Sequence, residues 1–381
     1  MFFVSPRAAV LFLLLAACGC AGPRSHDLIP QPAAAQVAAP GSPHRIFVAT
    51  TRDRARKQAE IFDGRRSPET SFAHVTVAVP ANRATGSLPV ARAGQPDPAK
   101  HFTPTEVALY RDGNAISAAL RSDLRRTGGR ALVFVHGYNT HFDSAVYRLA
   151  QIAHDGGYSG TPVLFSWASG GRTFDYIYDK DSATVARDAL EETLRLVARS
   201  GATRIDLVAH SMGTWVATEA LRQLAIAGDR DLGGKLGEVV LASPDIDVDI
   251  FKSQMKRIGV PDRPYFILLS GDDRALRLSS VIAGNKPRVG DYAEATDLSS
   301  LGVTVVNLSG IAAGDRMNHA KFADNPLIVR ILGQYLSGDE TFAGSDGEIS
   351  MSINSLAEGV LSAGELIVTT PFRVLRVAVG G

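Results

Sequence analysis

From residue 44 onward, short apolar runs alternate with longer stretches whose apolar positions recur every three or four residues. Residues 45–50 (RIFVAT) and 73–79 (AHVTVAV) suit strands, and 80–86 (PANRATG) closes the second with turn formers. Residues 106–110 predict another strand and 115–126 a helix. Arg130–Val135 (RALVFV) is apolar almost throughout, as expected for a parallel strand covered on both faces. The runs 162–166, 204–209, 238–242, Tyr265–Leu269 and 303–308 read the same way. Helical periodicity fills the intervals near 142–154, 182–199, 212–226, 247–257 and 325–336. This alternation predicts an α/β domain over 44–337, with a mostly parallel central sheet and helices on both faces. Beyond it the pattern weakens: 338–350 reads as loop and 367–377 as a strand or an extended tail. Residues 338–381 are therefore read as a C-terminal extension outside the main domain.

The amino terminus follows a different rule. Arg7 precedes an apolar run over 8–17 that is too short for a permanent membrane span but suits a secretory signal. The run ends in Leu-Ala-Ala-Cys18, which resembles a bacterial lipobox. That resemblance implies removal of a lipoprotein signal peptide, 1–17, and acylation of Cys18; several acyl chains suffice for stable anchoring. Gly at position 19, where Asp would mark inner-membrane retention, leaves an outer-membrane lipoprotein facing the periplasm, or exported, as the expectation. Residues 18–43 are rich in Gly, Pro, Ala, Ser and Gln, the composition of a flexible tether.

Composition narrows the chemistry. Cys18 and Cys20 are the only cysteines in 381 residues, so the body of the chain has no thiol nucleophile, thiolate metal site or disulfide. A net charge of +1 supplies no global field for nucleic acid. No HExxH or paired His/carboxylate pattern marks a metal enzyme, and no cofactor motif stands out.

The segment 205–215 (IDLVAHSMGTW) carries the clearest chemical signal. An apolar strand runs into Ala209-His210-Ser211-Met212-Gly213 and a helical pattern follows, the layout of a nucleophile elbow with Ala in place of its first Gly. Small residues two positions either side of the serine make room for the strained turn, which lifts the Ser211 hydroxyl above the strand ends. Ser211 needs a base to become nucleophilic. This fold orders its residues Ser, acid, His, and of nine histidines only His319 follows Ser211. His210 neighbours the serine, but the turn should aim its ring away from the hydroxyl, so it reads as structural. For the acid, Asp273 leads, with Asp272 and Asp245 as alternatives; each follows a predicted strand that should end near the site. The oxyanion donors would be the backbone N–H of Met212 and of Tyr138, the latter in the turn His136-Gly-Tyr-Asn139.

The motifs RIFVATTR, VFVHGYNT, FSWASGG, DLVAHSMGTW, ASPDIDVDIF and DDRAL occur in this order over roughly 44–336. In this they resemble a bacterial family of largely uncharacterised α/β-hydrolases. The resemblance implies the α/β-hydrolase fold, Ser211 as nucleophile and, from the Asp preceding Arg274-Ala-Leu276, Asp273 as acid. At the histidine the chain departs from the family's usual Gly-His-Ser run and has Asn318-His319-Ala320.

The expected activity is hydrolysis of a small-molecule carboxylic ester through an acyl-serine. Acyl transfer on the same residues is the near alternative, and a non-catalytic envelope scaffold the remoter one. Trp167, Ser169, Tyr176 and Tyr178 follow a strand that should end at the site; they serve equally as pocket lining or packing. No long apolar lid insertion favours a triglyceride lipase.

Overall fold

A computed structural model describes residue 28 and residues 41–56, 60–91, 96–312, 314–338, 364–370 and 374–379. The expected signal peptide, most of the tether and residues 339–363 lie outside the described residues. In chain order the elements are β1 (Gly41–Arg54), β2 (Phe62–Pro80), β3 (Thr103–Tyr110), α1 (Gly113–Arg126), β4 (Arg130–Val135), α2 (Phe142–Asp155) and β5 (Thr161–Ser166). Then follow α3 (Tyr176–Val185), α4 (Arg187–Arg199), β6 (Arg204–His210), α5 (Gly213–Ile226), β7 (Leu236–Ala242), α6 (Val248–Ile258), β8 (Tyr265–Leu269) and α7 (Arg274–Ile282). The last are α8 (Ala295–Ser299), β9 (Val303–Asn307), α9 (Lys321–Asp324), α10 (Pro326–Ser337), β10 (Gly364–Thr369) and β11 (Val374–Val379).

All eleven strands form one sheet in the order β11-β10-β9-β8-β7-β6-β4-β5-β1-β2-β3. Pairing is parallel from β1 through β9 across the centre and antiparallel at both margins, where β1-β2-β3 and β9-β10-β11 meet. Successive side chains of a strand point to opposite faces, and the central strands are apolar at every step because both faces are covered. Ala131, Val133 and Val135 of β4 join Ile205, Leu207 and Ala209 of β6 in a layer packed under α1, α4, α5 and α6. Leu132, Phe134 and Val208 face the other layer, closed by α2, α9 and α10. Leu28 is buried in that second layer.

Helix ends follow capping chemistry. Asp112, Asp247, Asp273 and Asn325 each accept backbone N–H groups of the first turn of α1, α6, α7 and α10, and Gly338 ends α10 in the left-handed region.

The structure departs from the expected elements in a few places. The helix expected over 182–199 is two, α3 and α4, broken at Ala186, whose ψ of −9° turns the chain without a Gly or Pro to mark it. The region 367–377 is two antiparallel strands, β10 and β11, rather than one. Helix α7 had no counterpart in the sequence reading, because its apolar positions face an open cleft and leave only Leu276 and Ser279 buried. β1 already begins at Gly41, within the segment expected to be tether.

β4 sends the chain to β5 on one side, while β6 lies on its other side. The carboxyl ends of β4 and β6 thus flank a switch point of the kind at which open α/β sheets place ligand sites.

Candidate active site

Ser211 occupies the turn between β6 and α5 with φ of 53°, in the left-handed region that non-glycine residues avoid. Holding it there costs about 1–3 kcal/mol, offset by the surroundings. Its N–H donates to the Ala242 carbonyl of β7 at 2.9 Å, and its own carbonyl accepts from the Thr214 N–H and hydroxyl, at 3.0 and 2.6 Å. Two glycines make the turn possible. A Cβ on Gly213 would stand 2.3 Å from the His136 carbonyl oxygen, and one on Gly137 would stand 2.8 Å from the Ser211 Cβ. The nucleophile turn and the His136–Asn139 turn therefore touch, as a shared oxyanion site requires.

His319 comes from the loop after β9. Its Nδ1 lies 2.7 Å from Asp273 Oδ2, and both residues are buried. Burial alone would lower the His319 pKa; the Asp273 carboxylate more than offsets this, and the net shift is upward. The other Asp273 oxygen, Oδ1, accepts the N–H groups of Ala275 and Leu276 at 2.9 and 3.0 Å, so one carboxylate both caps α7 and holds the histidine ring. Ser211 and His319 line one open cleft, together with Tyr138, Thr140, Thr173, Tyr176, Asp245 and the inner side of α7.

The alternative acids have other partners. Asp272 accepts from Lys321 Nζ at 2.7 Å, from Asn318 Nδ2 at 3.0 Å and from the Ser270 hydroxyl. Partial burial would raise its pKa, but the Lys321 ammonium brings it below the usual value. Lys321 is almost fully buried and also donates to the Leu308 carbonyl, so Asp272 fastens the histidine loop to the acid loop. Asp245 lies in the cleft but accepts from the Tyr176 and Ser279 hydroxyls, at 3.0 and 2.7 Å, and sits 3.3 Å from Arg288 Nε.

His210 contacts His319 from below. Its Nε2–H donates to the His319 carbonyl at 3.2 Å, and the two rings lie 4.6 Å apart. Burial, then the neighbouring His319, push its pKa well down, which keeps it neutral in that role. Asp315 completes the loop by accepting the backbone N–H groups of Met317, His319 and Ala320.

Met212 follows the serine at the start of α5, and none of the described residues accepts a hydrogen bond from its N–H. Tyr138 is fixed by its hydroxyl, which donates to the Thr173 carbonyl, and by its edge contact with Tyr176. Beneath it, Arg52 is fully buried and spends its guanidinium on five partners. Nε donates to Ser166 Oγ at 2.9 Å, one terminal nitrogen to the Ser169 and Asp63 carbonyls, and the other to the Thr140 carbonyl and His136 Nε2. Burial pulls its pKa down to about 10, with Asp179 opposing. His136 is neutral, its pKa pushed down to about 3 by burial and then Arg52. Sequence reasoning missed Arg52, although it closes the RIFVATTR motif; an Arg at the end of an apolar strand was the available signal. It also missed Lys321 and Asp179, whose carboxylate accepts from the Asn139 and Gly170 N–H groups and the Ser169 hydroxyl.

Of the four residues after β5 expected to line or pack, Tyr176 lines the cleft. Trp167 is buried, stacked on His136 with its Nε1 donating to the His136 carbonyl at 2.8 Å; Ser169 binds Asp179, and Tyr178 binds the Gly64 carbonyl at 3.0 Å. Among the described residues, no group of three or more His, Cys, Asp or Glu is placed to hold a metal ion.

A mostly parallel sheet with helices on both faces, carrying a serine on a strained strand-to-helix turn at its carboxyl edge, defines an α/β-hydrolase. The chain belongs to the family described as alpha/beta hydrolase of unknown function (DUF900), which matches residues 113–335. No curated protein matches the chain.

Proposed function

We propose that the protein is a serine hydrolase of carboxylic esters working through an acyl-Ser211 intermediate. The observation that carries the reading is the convergence in one cleft of a strained serine and a histidine held by a buried carboxylate. With Asp273 accepting from His319 Nδ1–H, the free lone pair lies on Nε2, the nitrogen that can take a proton. His319 Nε2 removes the Ser211 proton as Oγ bonds to the ester carbon, and the carbonyl electrons move onto oxygen. The N–H groups of Tyr138 and Met212 hydrogen-bond that oxyanion, aided by the positive end of α5. Collapse expels the alkoxide, which leaves as the alcohol with the proton from His319. Water then gives a proton to His319 and attacks the acyl carbon; the second collapse returns electrons and proton to Ser211 and releases the carboxylic acid.

A fluorophosphonate probe with mass-spectrometric mapping tests this. The expected result is an adduct on Ser211, absent in Ser211→Ala and strongly reduced in His319→Ala. Well-folded wild-type protein without an adduct would overturn the reading.

We propose further that acylated Cys18 anchors the protein to the periplasmic face of the outer membrane. The lipobox-like Leu-Ala-Ala-Cys18 and the Ala-, Pro- and Gly-rich segment after it support this.

A further inference from the structure

Helix α7 lines the cleft, and four of its residues there are Ala275, Leu278, Ser279 and Ile282. Their spacing, i, i+3, i+4 and i+7, makes one face of a helix. Such a stripe ordinarily packs into a core, yet here it borders the space beside Ser211 and His319, with Ile282 still 42% exposed. Leu276 and Met317 extend the apolar lining toward the histidine. Thr173 and Tyr176 also line the cleft, and their neighbours in the chain, Phe174 and Ile177, are 72% and 63% exposed. The remaining lining near Asp245 is polar but self-satisfied, its carboxylate occupied by Tyr176, Ser279 and Arg288. It therefore offers no open charge to recruit a polar substrate group and no gain for an apolar one.

Building on the ester-hydrolase reading, we infer that the substrates are esters with an apolar acyl chain. The chain runs from Ser211 along the α7 stripe and out between Ile282 and the Phe174–Ile177 edge. The rise from Leu276 to Ile282 is about 9 Å, which a chain of roughly eight carbons spans. Each methylene brought out of water there raises kcat/KM about fourfold, until the chain passes Ile282.

The test is kcat/KM of the full chain on p-nitrophenyl acetate, butyrate, hexanoate and octanoate, each below its solubility limit. Ile282→Asn and Phe174→Ser are measured alongside, both at exposed positions that tolerate polar groups. The expected result is a steady rise with chain length, and an octanoate-to-acetate ratio at least threefold lower in each variant. A flat series with Ser211 still labelled by fluorophosphonate would overturn the apolar class while leaving the hydrolase standing. A rising series unchanged in both variants would overturn the assigned path. Absence of both label and turnover would remove the hydrolase reading and this inference with it.

Discussion

Replacing Asp273 by Asn separates two roles of one side chain. In the wild type, Oδ1 accepts the Ala275 and Leu276 N–H groups and Oδ2 faces His319 Nδ1 at 2.7 Å. An Asn keeps the cap only by placing its carbonyl oxygen on α7, which leaves its NH2 facing Nδ1. Nδ1 must then be the acceptor, so the imidazole proton moves to Nε2, where the base is needed. The expected loss in kcat is on the order of 10^4, whereas stability falls by no more than about 1 kcal/mol because the cap survives. Asp273→Ala removes the orienting group too, and also the cap, for a further loss of about 1 kcal/mol. Ester turnover and urea unfolding on both variants read the two roles independently. The pH profile adds a third readout. His319 must be neutral to act as base and its pKa is raised, so wild-type activity grows as pH climbs through a value above 6.5. Without the Asp273 charge that limb moves to lower pH. Residual activity within tenfold of wild type in Asp273→Asn would refute the assignment of this carboxylate.

Other substitutions probe the remaining parts. Gly137→Ala places a methyl 2.8 Å from the Ser211 Cβ, and should abolish fluorophosphonate labelling while circular dichroism stays native; normal labelling would refute the contact between the two turns. Asp245→Asn should lower kcat far less than Asp273→Asn yet cost about 3–5 kcal/mol in urea unfolding, because Arg288 is left buried beside a neutral group. The opposite pattern would make Asp245 the working acid. Cys18→Ser should abolish incorporation of labelled palmitate in bacterial cells, and equal incorporation would rule out lipidation at that residue.

The central parallel strands were legible because both faces demand apolar residues, and Arg130–Val135 and Tyr265–Leu269 coincide with β4 and β8. The serine turn was legible because its sterics admit few residues. Helix α7 was not, since periodicity reports burial in a core and this helix directs its stripe at a cleft. The choice among Asp245, Asp272 and Asp273 could not come from spacing: all three follow strands, and only the folded loop shows which oxygen meets the His319 ring. Arg52 was hidden for a related reason, its partners lying far away in sequence at Asp63, His136, Thr140, Ser166 and Ser169.

That reach bears on how the protein folds. A guanidinium withdrawn from water before its acceptors are assembled carries a desolvation penalty of several kcal/mol. Arg52 at the end of β1 meets acceptors from β2, the turn after β4 and the end of β5, and these stretches must close around it together. A half-docked intermediate with the His136–Asn139 turn loose and the rest native is thereby disfavoured. Amide exchange at Thr140, whose N–H donates to Ser169, and at Phe165 in β5 should share one opening energy; separate energies would contradict this. The cooperativity of the fold and the placement of the turn proposed to hold the oxyanion then rest on the same cation, so a chain that has reached its native state has that turn already set.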